Sequence, residues 1–169
     1  MESVKTYDSF PFGMVLVTAL FSLAIYAAGF YILLQAGMVL SLFYLAYVLF
    51  MEIRLLSRHC VNCYYYGKVC GFGKGWLSAM FFKKGDNAKF CEKPMLWKDL
   101  IPDLLVSLIP FVAGIILLVI RFNILLLAAV LLIALLSSQG NALVRGKIAC
   151  KYCKQRELGC PAVELFNQK

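Results

Sequence analysis

Four long runs of apolar residues alternate with shorter polar stretches along the chain. The runs cover residues 12–33, 37–56, 100–120 and 124–144. Each is long enough to cross about 30 Å of hydrocarbon as an α-helix, which takes about 20 residues. Only residues 34–36 and 121–123 separate the members of each pair, and backbone inside a bilayer has to satisfy its own hydrogen bonds. The pattern therefore predicts four transmembrane helices arranged as two tandem hairpins.

Composition agrees with a membrane protein. The chain has 169 residues, 62% of them hydrophobic, and its mean hydropathy is +0.81. These values lie outside the usual range of soluble domains, and too little polar surface remains to cover four buried helices in water. We therefore expect an all-α integral membrane protein of a plasma or inner membrane. The first run lacks a preceding basic segment and is longer than a signal-peptide core, so we expect it to remain as a span.

The cationic residues predict how the chain is oriented in the membrane. The formal net charge is +8, and of the 17 Lys and Arg only Arg121 falls on the side opposite the N-terminus. The positive-inside rule then makes the N-terminus, the central loop and the C-terminus cytoplasmic. Attraction to anionic lipid headgroups accounts for the basic surplus. We expect no nucleic-acid partner, because no nucleic-acid-binding module accompanies the charge.

The polar segments divide the chain into four parts. These are a first hairpin (1–56), a Cys-rich loop with an interfacial segment (57–99), a second hairpin (100–144) and a Cys-rich tail (145–169). In each half a hairpin is followed by the same cysteine spacing, which indicates an internal duplication with a pseudo-twofold axis along the membrane normal.

Two stretches of the central loop carry further patterns. Residues 76–82 are apolar and aromatic and precede lysines, which is typical of a segment lying in the membrane interface. Gly71, Gly73 and Gly75 favour a flexible turn, and the alternative is that their backbone amides approach an anion or a cluster sulfur.

Six of the seven cysteines form two copies of the motif C-x2-C-x6-C. The copies are Cys60, Cys63, Cys70 and Cys150, Cys153, Cys160; Cys91 is the seventh cysteine, and His59, the only histidine, adjoins the first copy. Two cysteines three residues apart present both sulfurs to one metal ion, and a third closes the site. A disulfide framework is disfavoured on a reducing cytoplasmic face. The fold class is therefore a four-helix membrane protein with a Cys-rich, metal-binding cytoplasmic cap.

Three arrangements of these ligands are open. Two four-coordinate sites would use Cys60, Cys63, Cys70 and Cys91 in one, and Cys150, Cys153, Cys160 and His59 in the other. A binuclear centre would use the six motif cysteines and leave Cys91 and His59 free. An iron–sulfur arrangement would hold a [4Fe–4S] cluster on four thiolates. We expect zinc, about two ions, because cysteine zinc sites are common folding staples.

The spacing of residues 60–70 and 150–160 resembles each half of the fungal binuclear zinc-cluster DNA-binding domains, in which two C-x2-C-x6-C segments share two zinc ions. The resemblance covers only these two segments, and here a predicted transmembrane hairpin stands in place of a short loop. The resemblance implies the ligand geometry. It implies neither common ancestry nor DNA binding. Cys160-Pro161 is similar to the cysteine–proline ending of ferredoxin motifs, which supports the iron–sulfur alternative.

Together these features favour a non-enzymatic membrane metalloprotein. Bound zinc would hold its cytoplasmic cap together, and the cap would present a basic surface to a protein partner. One alternative is an iron–sulfur protein that passes electrons from a soluble donor to a quinone or a partner complex. A second is soft-metal binding, transport or sensing. We predict no catalytic residue, because no nucleophile–His–acid set can form without His59; an enzymatic role would be that of an oxidoreductase component. No ionisable residue is expected near the middle of a span, which disfavours an ion pathway.

Overall fold

The computed structural model describes residues 6–92 and 97–160, without the side chains of residues 89, 91, 92, 97, 99, 141, 145 and 146. Within these ranges the regular structure is helical apart from one isolated bridge between Tyr7 and Cys153. The α-helices are α1 Phe12–Ala36, α2 Met38–Arg58, α3 Lys74–Phe81, α4 Asn87–Glu92, α5 Trp97–Ile120, α6 Ile124–Leu135 and α7 Asn141–Leu143. Segments of π-helix, Leu136–Gly140 and Val144–Ala149, flank α7. Turns of 3-10 helix cover Cys60–Asn62 and Lys154–Arg156.

In the described part of the chain three helices, α1, α2 and α5, are long and apolar enough to cross a membrane. This finding supports an integral membrane protein, and the helix bounds lie within a few residues of the predicted ones. Gly37, with φ of +154°, joins α1 to α2, and residues 121–123 join α5 to α6 as expected. The fourth predicted span is different, because its apolar helix, Ile124–Gly140, is shorter and passes into π-helix. A fourth span therefore stays a prediction.

The chain forms two compact units. Within the described residues, the first comes from residues 6–19, 53–92 with Trp97, and 142–160, and it contains both cysteine motifs; we call it the cysteine unit. The second comes from Leu20–Glu52 and Lys98–Asn141 and is called the helical unit. The second hairpin separates the two motifs in sequence, yet both belong to one unit.

Apolar side chains fill the interior of the helical unit and also cover its outer surface. One buried cluster consists of Ala28, Ile32, Leu117, Leu126, Val130 and Ile133, and a second of Leu33, Tyr44, Val48, Met51 and Val106. Large apolar residues such as Phe43 and Val119 remain 71% and 84% exposed. An apolar exterior of this kind is costly in water and suits a lipid environment.

Tyrosines of α2 satisfy backbone carbonyls of α5. Pro110 lies inside α5 and has no N–H to donate to the carbonyl of Val106, one turn earlier. The hydroxyl of Tyr44 donates to this carbonyl at 3.0 Å, and the hydroxyl of Tyr47 donates to the carbonyl of Pro102 at 2.8 Å. Because a lone carbonyl is costly in an apolar interior, the bond from Tyr44 makes Pro110 tolerable.

A carboxylate in α2 pairs with a tyrosine in α1. The sequence places Glu52 near the end of the second span, where helix-end solvation and interhelical hydrogen bonding are expected. In the structure its Oε1 accepts a hydrogen bond of 2.5 Å from the hydroxyl of Tyr26. The partly buried pair therefore connects the two helices of the first hairpin, a contact that the apolar pattern alone does not predict.

Replacement of Tyr44 by phenylalanine tests the α2–α5 contact. Tyr44→Phe leaves the carbonyl of Val106 without its donor, so we expect a loss of about 1 kcal/mol in unfolding free energy. In a Pro110→Ala background the alanine N–H can serve that carbonyl, so the same replacement should cost much less. Equilibrium unfolding in detergent of the wild type, the two single variants and the double variant measures the coupling between Tyr44 and Pro110. Equal costs of Tyr44→Phe in both backgrounds would contradict the role of Tyr44 as the donor that replaces the missing N–H.

Candidate metal centre

The two cysteine motifs fold into the same backbone turn. The amide of Cys63 donates to the carbonyl of Cys60, and the amide of Cys153 to that of Cys150, both at 3.3 Å. The second cysteine of each motif is extended, with φ, ψ of −83°, 151° for Cys63 and −81°, 121° for Cys153. The carbonyls of these second cysteines then accept from the residue three positions on, Tyr66 or Arg156, at 3.0 and 3.1 Å. The two motifs therefore share a local backbone turn, and the internal duplication stays a prediction.

Tyr65 connects the two motifs. Its side chain is 1% exposed, and its hydroxyl donates to the carbonyl of Tyr7 at 2.5 Å while accepting from the amide of Lys154 at 2.9 Å. Gln155 forms a second connection, since its Oε1 accepts from the amide of Tyr64 at 2.8 Å and its side chain is 3% exposed. These bonds, made by two buried side chains, fix the register between the motifs.

The segment before α1 joins the same assembly. The amide of Tyr7 donates to the carbonyl of Tyr152 at 3.1 Å, and the amide of Phe10 donates to that of Val69 at 2.9 Å. Asp8 pairs with Lys154 at 2.6 Å. This bond, with a second from Tyr64, lowers the pKa of the Asp8 carboxyl. Because the pair is exposed, it adds little stability, and the buried backbone bonds hold the segment.

Gly71 allows a close approach between the motifs. A Cβ atom on Gly71 would lie 2.9 Å from the Cβ of Ala149, so any larger residue would push apart the chain segments next to Cys70 and Cys150. The carbonyl of Gly71 also accepts a hydrogen bond of 2.6 Å from the buried hydroxyl of Thr18 in α1. The glycine is therefore required by packing in the cysteine unit.

Burial keeps two central thiols protonated at neutral pH. Desolvation raises the pKa of the Cys63 thiol to about 11 and that of Cys153 to about 12. Charges on neighbouring thiols raise both values further, with Cys70 and Cys160 acting on Cys63. The thiols of Cys63, Cys150 and Cys160 act likewise on Cys153. These influences cross from one motif to the other, which places the thiols near one another.

Backbone amides point at sulfur atoms in both motifs. The amide of Gly75 donates to Sγ of Cys70 at 3.4 Å, in agreement with one of the two alternatives for the glycine-containing turn. Backbone amides of Tyr65 and Gln155, each two residues after a cysteine, hydrogen-bond to the thiols of Cys63 and Cys153 and partly offset the rise in pKa caused by burial. N–H···S bonds of this kind stabilise a thiolate.

The sulfur atoms do not yet form a coordination shell. Among the described residues, no group of three or more His, Cys, Asp or Glu side chains is placed to hold a metal ion. The six motif cysteines are free thiols of intermediate exposure. His59 begins the 3-10 turn of the first motif and is half-buried. Cys91 belongs to α4, and its side chain lies outside the described part, so its predicted role as a ligand is untested.

Cations and aromatic rings surround the cysteines. Lys68 and Lys154 lie 4.2 and 5.3 Å from the ring centroid of Tyr64, and Lys151 lies 5.5 Å from that of Tyr152. Such contacts hold cations over ring faces. The sequence did not indicate the part of Tyr65 or Gln155. Tyr65 is the middle one of three consecutive tyrosines, residues 64–66, so nothing in the sequence separated it from its neighbours.

Loss of the Tyr65 hydroxyl should loosen the cysteine unit. Tyr65→Phe leaves the buried amide of Lys154 and the carbonyl of Tyr7 unpaired, so we expect a loss of about 1–3 kcal/mol. The matched control is Tyr64→Phe, whose hydroxyl bonds to the exposed Asp8 and should contribute less than about 1 kcal/mol. Maleimide labelling of the thiols in chelator measures opening of the unit. Equal labelling rates for the two variants would contradict the central role of Tyr65.

Comparisons of the chain with known protein families, with characterised proteins and with solved structures find no match. Its residues and their geometry are therefore the basis for any functional conclusion.

Proposed function

We propose that this chain is a non-enzymatic membrane metalloprotein whose two C-x2-C-x6-C motifs bind zinc together. The observation that carries the proposal is the pair of matching cysteine turns, joined to each other through Tyr65 and Gln155. The role of the metal is to staple the segment before α1, the first motif and the second motif into one unit, as structural zinc does in small domains.

Contacts between the motifs favour a shared centre over two separate sites. The thiol of Cys63 is influenced by Cys160 of the other motif, and Cys153 by Cys63. The Gly71–Ala149 approach also joins the motifs beside their ligands. Six thiolates around two ions would use these neighbours, whereas two separate sites would have to recruit Cys91 and His59.

Metal binding in this unit requires a rearrangement. Burial raises the pKa of the Cys63 and Cys153 thiols, and among the described residues no three ligands converge on one point, so an ion has to draw the sulfur atoms together and displace protons. Zinc favours thiolate over thiol, and the amides directed at Cys63, Cys70 and Cys153 already favour the ionised form. The donor set therefore suits a thiophilic ion.

The proposal includes an orientation and a partner. The cysteine unit faces the cytoplasm, and α6 with the helical turns after it forms the fourth span. The exposed cations Lys68, Lys151 and Arg156 lie in or beside the cysteine motifs and favour an acidic protein surface as partner. What supports this orientation is the distribution of Lys and Arg along the chain.

Metal analysis of purified protein tests the centre. We expect about two zinc ions per chain in the wild type, and loss of metal in Cys153→Ala, because a two-ion thiolate centre does not survive the removal of one ligand. Cys91→Ala is the matched control, since a centre shared by the six motif cysteines does not use Cys91. Elemental analysis and thermal unfolding of each variant, with and without chelator, are the measurements.

The other arrangements give different results. Loss of one ion from Cys91→Ala and from His59→Ala would establish two separate four-ligand sites. A brown protein containing iron, with absorbance at about 400 nm that dithionite bleaches, would replace zinc by an iron–sulfur cluster and favour electron transfer. A wild-type protein that binds neither zinc nor iron would contradict the proposal.

A further inference from the structure

Helix α3 of the cysteine unit presents its largest apolar side chains to the outside. Trp76, Met80 and Phe81 are 55%, 58% and 69% exposed, and Leu77 beside them is also exposed. The small residues of the helix face inward instead, and Ser78 is 0% exposed. This distribution is the reverse of that in an amphipathic helix of a soluble domain, in which the large apolar face is buried.

The inward face of α3 is held by close backbone contacts. A Cβ atom on Gly75 would lie 2.7 Å from the carbonyl oxygen of Lys68 and collide with that of Tyr65. The carbonyl of Gly75 accepts from the amide of Gly67 at 3.1 Å, and its amide donates to Sγ of Cys70. The helix cannot rotate to bury its aromatic residues, because no side chain fits where Gly75 lies.

Two contacts determine where α3 lies along the membrane-length helices. The hydroxyl of Ser78 donates to the carbonyl of Leu56 at 3.1 Å; this carbonyl is one of the last four of α2, which have no partner within the helix. Gly73, the N-cap of α3, approaches Val15 in the first turn of α1. Helix α3 therefore lies beside the first turn of α1 and the last turn of α2.

The lengths of α1 and α2 place these turns at a membrane surface. With 25 and 21 residues, the helices are about 38 and 32 Å long, against a hydrocarbon thickness of about 30 Å. If both cross the bilayer, the beginning of α1 and the end of α2 lie at the boundary between the acyl chains and the headgroups. An element fixed to both of these ends lies at the same depth.

We propose that α3 is a membrane-interface anchor that binds the lipid–water boundary through the face formed by Trp76, Leu77, Met80 and Phe81. Tryptophan and phenylalanine at this depth match the aromatic belt of membrane proteins. Lys83 and Lys84, exposed and directly after the helix, add attraction for anionic headgroups. This face therefore contacts the lipid headgroup region of the bilayer that α1 and α2 cross. The two lysines favour anionic lipids there.

Depth-dependent quenching of Trp76 fluorescence tests the anchor. The chain has two tryptophans, so Trp97→Phe leaves Trp76 as the single reporter in the full-length protein. In nanodiscs of phosphatidylcholine and phosphatidylglycerol, lipids brominated close to the headgroup should quench Trp76 about twofold or more. Lipids brominated near the chain end, and acrylamide in the water, should quench less. If Trp97→Phe does not fold, the quenching of Trp76 is obtained by subtracting the fluorescence of Trp76→Phe from that of the wild type.

Charge reversal tests the preference for anionic lipid. Lys83→Glu with Lys84→Glu should weaken quenching by the shallow lipids in phosphatidylglycerol nanodiscs and leave it unchanged in phosphatidylcholine alone. The control, Lys151→Glu with Arg156→Glu, reverses exposed cations of the second cysteine motif and should change neither. An absence of lipid quenching would overturn the proposal. Strong quenching by acrylamide would then place Trp76 in water, and weak quenching by acrylamide would place it against a protein surface. This result does not depend on whether the cysteines bind metal.

Discussion

Buried backbone groups have to find hydrogen-bond partners, and in this chain side-chain hydroxyls supply those that the helices leave open. Tyr44 pairs with the carbonyl freed by Pro110, Ser78 with a terminal carbonyl of α2, and Tyr65 with backbone groups from two distant segments. Burial of apolar surface favours compact packing, but it does not determine which elements pack against each other. These directed bonds decide which elements come into contact, and with that they bring the cysteine motifs together.

Periodicity and spacing predicted the elements well and their contacts poorly. The bounds of α1, α2 and α5 follow from runs of apolar residues, because a helix in lipid needs an unbroken apolar segment of defined length. The repeated cysteine turn follows from the motif, since C-x2-C allows few backbone conformations between its sulfurs. Long-range partners such as Gln155 for the amide of Tyr64 follow from neither, because one sequence contains no signal that pairs two residues 91 positions apart.

The fourth apolar run shows where composition alone is insufficient. Residues 124–144 read as one span, yet regular α-helix ends at Leu135 and π-helix follows. Gly140 packs against the ring of Phe21, and the hydroxyl of Ser138 bonds back to the carbonyl of Ala134 at 2.6 Å, a bond that loosens regular helix. Local polar and small residues thus alter the helical geometry in the second half of a segment that reads as one apolar run.

The three-way connection at Tyr65 has a consequence for biosynthesis. Its hydroxyl bonds to a residue 58 positions earlier and to one 89 positions later, so ribosomes complete the second hairpin before the last partner emerges. Until then the first motif lacks the second motif as its packing partner. Closure of the cysteine unit therefore requires translation to pass residue 154.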